Sequence, residues 1–125
     1  MRRIRPKLHA LALAEVKATL AALPEPLRER AQALAVTCEP RPRPAQLQDG
    51  IEPDTLGLFL GPEFSDEETA TFPLPPHIIL FLENLWALAE ADEQSFREEV
   101  RTTYLHELGH YLGLDEDDLF DRGLD

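Results

Sequence analysis

Apolar positions recur along this chain in two rhythms, one helical and one extended. Leu8, Leu11, Ala12, Val16, Leu20 and Leu23 stand three or four apart, so residues 6–23 predict an amphipathic helix. Pro24 and Pro26 end it and open a short second helix over residues 27–33. The rhythm then changes. Residues 34–38 form a short apolar run with Val and Thr that reads as a strand, and residues 56–60, closed by Gly61-Pro62, read as another. Residues 77–82 (HIILFL) are apolar almost without a break, the pattern of a strand buried on both faces. A helical segment over 85–91 follows. Phe96, Val100, Tyr104, Leu108 and Leu112 then mark a long last helix. Asp92 and Ser95 are its candidate N-caps, with Glu98 three residues after Ser95 in a capping-box pattern. Gly113 is its natural stop.

Between these elements lie connections. Residues 39–54 carry Pro40, Pro42, Pro44, Gly50 and Pro53 and read as a loop too short to link domains. Residues 64–76 are acidic and then Pro-rich, a second exposed connection. No internal repeat occurs. Helix, a few strands and helix give an α+β fold class: a short mixed sheet packed against an N-terminal helix and a C-terminal helix. With 125 residues, one domain over residues 1–125 is expected.

Charge narrows the range of partners. A formal net charge of -12 argues against nucleic acid, which calls for a basic footprint, and favours cationic partners. No run approaches the ~18 apolar residues of a membrane span. Arg2, Arg3, Arg5 and Lys7 ahead of an apolar stretch imitate a secretory signal, but Glu15 and Lys17 interrupt that stretch and the helical stripe continues past them. Cys38 is the single cysteine, so no intrachain disulfide forms, and a reducing, cytoplasmic setting is expected.

The last helix carries the chemistry. His106-Glu107-Leu108-Gly109-His110 places two imidazoles four residues apart, one turn above each other, where both address one point. Zinc accepts imidazole nitrogens at ~2.0–2.1 Å, and this spacing lets two converge without straining the backbone. Glu107, one step round, stands where it can hold a zinc-bound water and take its proton, whose pKa the metal lowers from ~15.7 towards ~7. Gly113 lets the chain turn sharply off the helix, so that Glu116 returns as a third ligand and leaves a fourth position for water. Asp115, Asp117 and Asp118 stand close enough in sequence to replace Glu116 in that role. In a chain of this composition a chance His-Glu-x-x-His is expected in roughly one or two of a hundred sequences. Adding Gly113 and an acid at 116 lowers this to about one in ten thousand.

The run His106-Glu-Leu-Gly-His110-Tyr-Leu-Gly113-Leu-Asp-Glu116 resembles the minimal, single-domain bacterial zincin-like metallopeptidases. The resemblance extends to Leu56-Gly-Leu-Phe-Leu-Gly61 and Pro75-Pro-His-Ile-Ile-Leu80, similar to that family's sheet segments, and to the N-terminal helix ending at Leu23-Pro24. It implies a short chain with a C-terminal active-site helix. The extended motif is also similar to that of metzincins, carried onto His106, Glu107, His110, Gly113 and Glu116. That likeness departs from the pattern in two places: metzincins usually have His or Asp where Glu116 stands, and the chain's only Met is Met1, so no Met-turn follows.

The expected function is therefore zinc-dependent hydrolysis of a peptide or protein substrate, with Glu107 as catalytic base and His106, His110 and Glu116 as metal ligands. An extended substrate would add as a strand to an exposed sheet edge, either 56–60 or 77–82. The rival expectation is a non-catalytic or regulatory zinc-binding domain acting through a protein partner. Other residues read more plainly. His9 is a surface histidine and His77 a strand-start histidine. Cys38 is a small buried hydrophobe, and Phe81 and Trp86 belong to the core. Residues 115–118 lack the glycine and closing glutamate of a calcium loop and read as a solvated acidic face.

Overall fold

In the computed structural model, residues 5–61, 76–114 and 117–118 are described. Helix α1 (Pro6–Ala22) starts on a proline at its first turn and buries Leu8, Ala12 and Val16 of the predicted stripe together with Thr19, while Leu11 and Leu20 are only partly buried. Leu23 then turns extended ahead of Pro24, as a residue before proline is driven to do. Helix α2 (Leu27–Gln32) is short and seats Leu27 and Ala31 in the core. Strand β1 (Ala35–Glu39) lies one residue later than residues 34–38 suggested.

Residues 39–54 are not loop throughout. Helix α3 (Pro44–Gln48) forms there because Pro44 presets the first turn and the Gln46 side chain accepts the Arg43 backbone N–H at 2.7 Å. A proline-rich stretch thus hides one turn of helix whose signals, Pro at the start and Gln two residues later, are local and weak.

Strand β2 (Gly57–Leu60) and strand β3 (His77–Phe81) complete a mixed three-stranded sheet of order β1-β3-β2. β1 runs parallel to β3, with Val36 opposite Ile78 and Cys38 opposite Leu80, while β2 runs antiparallel to β3, with Gly57 opposite Leu80. The continuous apolar run of β3 is explained by its central place: Ile78, Ile79, Leu80 and Phe81 are all buried. The same fact corrects the expectation that residues 77–82 offer a sheet edge. β3 has a strand on each side and cannot accept a third.

Leu82, expected to close the third strand, instead begins helix α4 (Leu82–Leu88), and residues 89–91 form a turn after it. The apolar run continues unbroken because both the strand and the first helical turn are buried, so hydropathy alone does not mark the junction. Helix α5 (Glu93–Leu112) follows. Its N-cap is Asp92, whose carboxylate accepts the Ser95 backbone N–H at 2.8 Å and is held below its ordinary pKa chiefly by that bond. The Ser95–Glu98 capping box does not form, because Ser95 already lies inside the helix and Glu98 accepts from Gln94 instead.

Phe96, Val100, Tyr104, Leu105, Leu108 and Tyr111 of α5 pack with Leu8, Ala12 and Val16 of α1 and with Ile78 and Leu80 of β3 in one core. Burial raises the Tyr104 phenol to about 12 and the Cys38 thiol to about 11, so neither ionises in ordinary conditions. Arg5 fastens the start of α1 to α4. Its guanidinium donates to the buried Glu83 carboxylate at 2.9 Å and lies 5.8 Å from the centre of the Trp86 ring. Phe81 is fully buried, as expected, and Trp86 packs against the core cluster through an edge-on contact with Phe96. His9 is on the surface. Among the described residues no helix is long and apolar enough to cross a membrane.

Candidate functional site

The 3.6-residue period of α5 turns one face to the core and leaves the other for the site. His106 and His110 lie on the outward face, with side chains 44% and 52% exposed, and their rings are 4.7 Å apart at 60°. Glu107 sits at the border between the faces, its side chain only 9% exposed. Its carboxylate bridges the pair: Oε1 is 3.6 Å from His110 Nδ1 and Oε2 is 3.9 Å from His106 Nε2. These separations are electrostatic contacts rather than hydrogen bonds.

Strand β2 explains why Glu107 is buried. A Cβ at position 57 would stand 2.6 Å from Thr103 Cγ2 and 3.3 Å from Glu107 Cγ, so only glycine lets the strand come this close to the helix. Gly57 therefore lets the strand close over the stem of Glu107. Phe59, next on the same side of the strand, meets the Tyr111 ring at 5.8 Å and holds the far end of the seam. Between β2 and α5 runs a groove of about 310 Å³ lined by Leu56, Gly57, Glu99, Thr102, Thr103, His106 and Glu107.

Past His110 the helix stops where the sequence predicts. Gly113 adopts φ 71, the Leu114 N–H donates to the Gly109 carbonyl at 2.8 Å and the Gly113 N–H donates to that of His110 at 3.3 Å. This double closure is the Schellman arrangement, and it turns the chain off the helix axis directly after the second histidine.

The zincin-like metallopeptidase family matches this chain over residues 31–124. The chain belongs to that family. No curated protein matches it. The match takes in β1 through the last helix of this zincin-like chain, so the sheet, the groove and the His-Glu-x-x-His run all fall inside it, while α1 lies before it.

Zincins typically hold zinc, and the residues present suit it. Two imidazoles sharing one tetrahedral ion at ~2.0–2.1 Å hold their ring centres about 5 Å apart, and the 4.7 Å found here needs little adjustment. Of the residues singled out in the sequence, His106, Glu107 and His110 are brought together. Glu116 and its neighbour Asp115 lie outside the described residues, and Asp117 and Asp118 are exposed. Among the described residues no set of three metal-binding side chains converges on one point.

Residue spacing alone does not assemble the groove lining. Its signals were nonetheless present: a glycine inside a strand marks a close backbone approach, and Glu99, Thr102 and Thr103 precede His106 by seven, four and three residues, the spacing of one helix face.

Proposed function

We propose that the chain is a zinc-dependent peptidase in which His106, His110 and Glu116 hold the metal and Glu107 is the general base. The observation that carries this reading is the buried Glu107 carboxylate standing between two outward imidazoles at the head of a groove. Zinc, when bound, would acidify a water and polarise the carbonyl of the scissile bond. Everything else falls to the chain's own groups. Glu107 has a fixed position, because Gly57 covers its stem and both histidines flank its oxygens. From there one carboxylate oxygen takes a proton from the attacking water and passes it to the leaving amine. Burial beneath β2 keeps bulk water from the stem of that side chain, which leaves the carboxylate dependent on its neighbours for charge compensation.

β2 lies over the stem of Glu107, and among the described residues its only strand partner is β3, which leaves its other edge unpaired. An extended peptide pairing with that edge would lie along the groove with its backbone held by main-chain hydrogen bonds. Leu56 and Gly57 would form its sheet-side wall.

The test compares the wild type with Glu107→Gln after stripping with chelator and reconstitution with zinc. Near-unit zinc is expected in both, with hydrolysis of a peptide mixture lost by ~10²–10⁴-fold in the variant. Equal cleavage by the variant would remove Glu107 from the mechanism. A wild type that holds zinc and cleaves nothing would support a non-catalytic zinc domain instead.

A further inference from the structure

The groove does not end at the metal-binding pair. It continues along α5 towards the helix N-terminus as far as Glu99. Seven residues at ~1.5 Å rise place Glu99 about 10 Å from His106 along the helix axis. A long substrate side chain whose backbone is held at the histidines spans that separation together with the Glu99 side chain and the hydrogen bond between them. The walls between are Leu56, Gly57 and the stems of Thr102 and Thr103, so what passes along them is mainly apolar. The far end is an acid. Glu99 is half-buried, and among the described residues its carboxylate makes no hydrogen bond or ion pair. Glu98, its neighbour in sequence, is exposed and engaged with Gln94, so the two adjacent acids have different surroundings.

An open, mainly apolar groove with an unpaired carboxylate at its far end matches a side chain with an aliphatic stem and a cationic head. From this we infer that Glu99 is a specificity-determining residue, selecting substrates with Lys or Arg beside the scissile bond. The stem lies between β2 and Thr102–Thr103, and the head reaches the Glu99 carboxylate. The chain's net charge of -12 acts in the same direction, concentrating cationic peptides at its surface. This inference rests on the peptidase reading above, so its test separates the two.

Blocked alanine-based hexapeptides carrying Lys, norleucine or Glu at the centre are offered to the zinc-reconstituted full chain. Norleucine keeps an unbranched aliphatic stem and removes the charge. The Lys peptide should exceed the norleucine peptide in kcat/KM by about tenfold, the ratio that one charge-assisted hydrogen bond supplies. Glu99→Gln should bring that ratio close to one, and Glu99→Lys should make the Glu peptide the better substrate. A Lys preference that survives Glu99→Gln overturns the assignment. The same peptides, fluorescently labelled, are titrated by anisotropy into Glu107→Gln with and without Glu99→Gln, which reads binding without turnover. If nothing is hydrolysed but the Lys peptide binds tightest and loses its advantage with Glu99→Gln, the peptidase reading fails and the cation subsite stands. Equal binding of all three peptides removes the subsite, whatever is cleaved.

Discussion

On α5, Phe96, Val100, Tyr104 and Leu108 face inward and are all buried, whereas Glu99, Thr102, His106 and His110 face outward and none of them is. The same twenty residues thus serve two purposes with almost no overlap. The inward side chains touch α1 and β3 and contribute apolar burial. The outward ones line the groove or form the histidine pair beside it. Thr103 and Glu107 are the exceptions, polar and buried at the seam, where β2 lies against both. The comparison teaches that stability and chemistry on one helix are separable by its period, except where a strand crosses the boundary.

The sharpest way to break that separation is to exchange the expected penalties. Phe96→Ala should cost ~3–5 kcal/mol of unfolding free energy through cavity formation. His110→Ala should leave the zinc-free protein within ~0.5 kcal/mol of wild type while abolishing tight zinc binding. Urea unfolding of both variants without metal checks this, and similar losses would show that the two faces are not independent.

At the seam the two roles should be coupled. Gly57→Ala should destabilise by ~1–3 kcal/mol, because its Cβ meets a buried, β-branched side chain at 2.6 Å. Thr103→Ser removes the Cγ2 that is struck, so the double variant should recover much of the loss. A thermal melt of the four-member cycle reads the coupling, and strict additivity would contradict the close approach.

Smaller effects are expected at the turn that feeds α5. Helix α4 closes with the same pair of bonds as α5, Ala91 N–H to the Trp86 carbonyl and Glu90 N–H to that of Ala87, but with Glu90 at φ 55 where α5 has Gly113. Glu90→Gly should therefore stabilise by ~0.5–1 kcal/mol by relieving a left-handed side chain, seen as a raised denaturation midpoint. Least of all, the Asp92 cap should make stability depend on acid. Its folded pKa lies below the ordinary 3.8, so its stabilisation is full above that value and disappears as pH falls through the lowered folded one. Asp92→Ala should consequently lower the melting midpoint slightly near neutrality and not at all in strong acid.

Much of this architecture was legible from residue spacing. α1 lies within a residue of its predicted bounds, α5 ends where Gly113 predicts and starts at one of its two candidate caps, and β3 stands out as an almost continuous apolar run. The histidine pair was legible for a simpler reason: its geometry is local, set by a four-residue spacing on one helix. α3 and the start of α4 were less so. The first depends on a single side-chain bond from Gln46, and the second lies where strand and helix share one apolar run. The order of the strands escaped the sequence as well, since nothing in residues 77–82 says that two other strands will flank them. The groove is a product of the same non-local pairing, and only the glycine at 57 hinted at it.

That glycine also leaves a trace that can be sought in descent rather than in the test tube. A hydrogen atom is all that separates the sheet from the helix at position 57, so the two lineages of change at 57 and 103 cannot drift independently. Homologues carrying alanine at the first position should carry serine, alanine or glycine at the second, where the methyl group has gone. Threonine at 103 should co-occur with glycine at 57 throughout the family. The width of the groove is then an inherited pair of residues, and it can widen or narrow only when both change together.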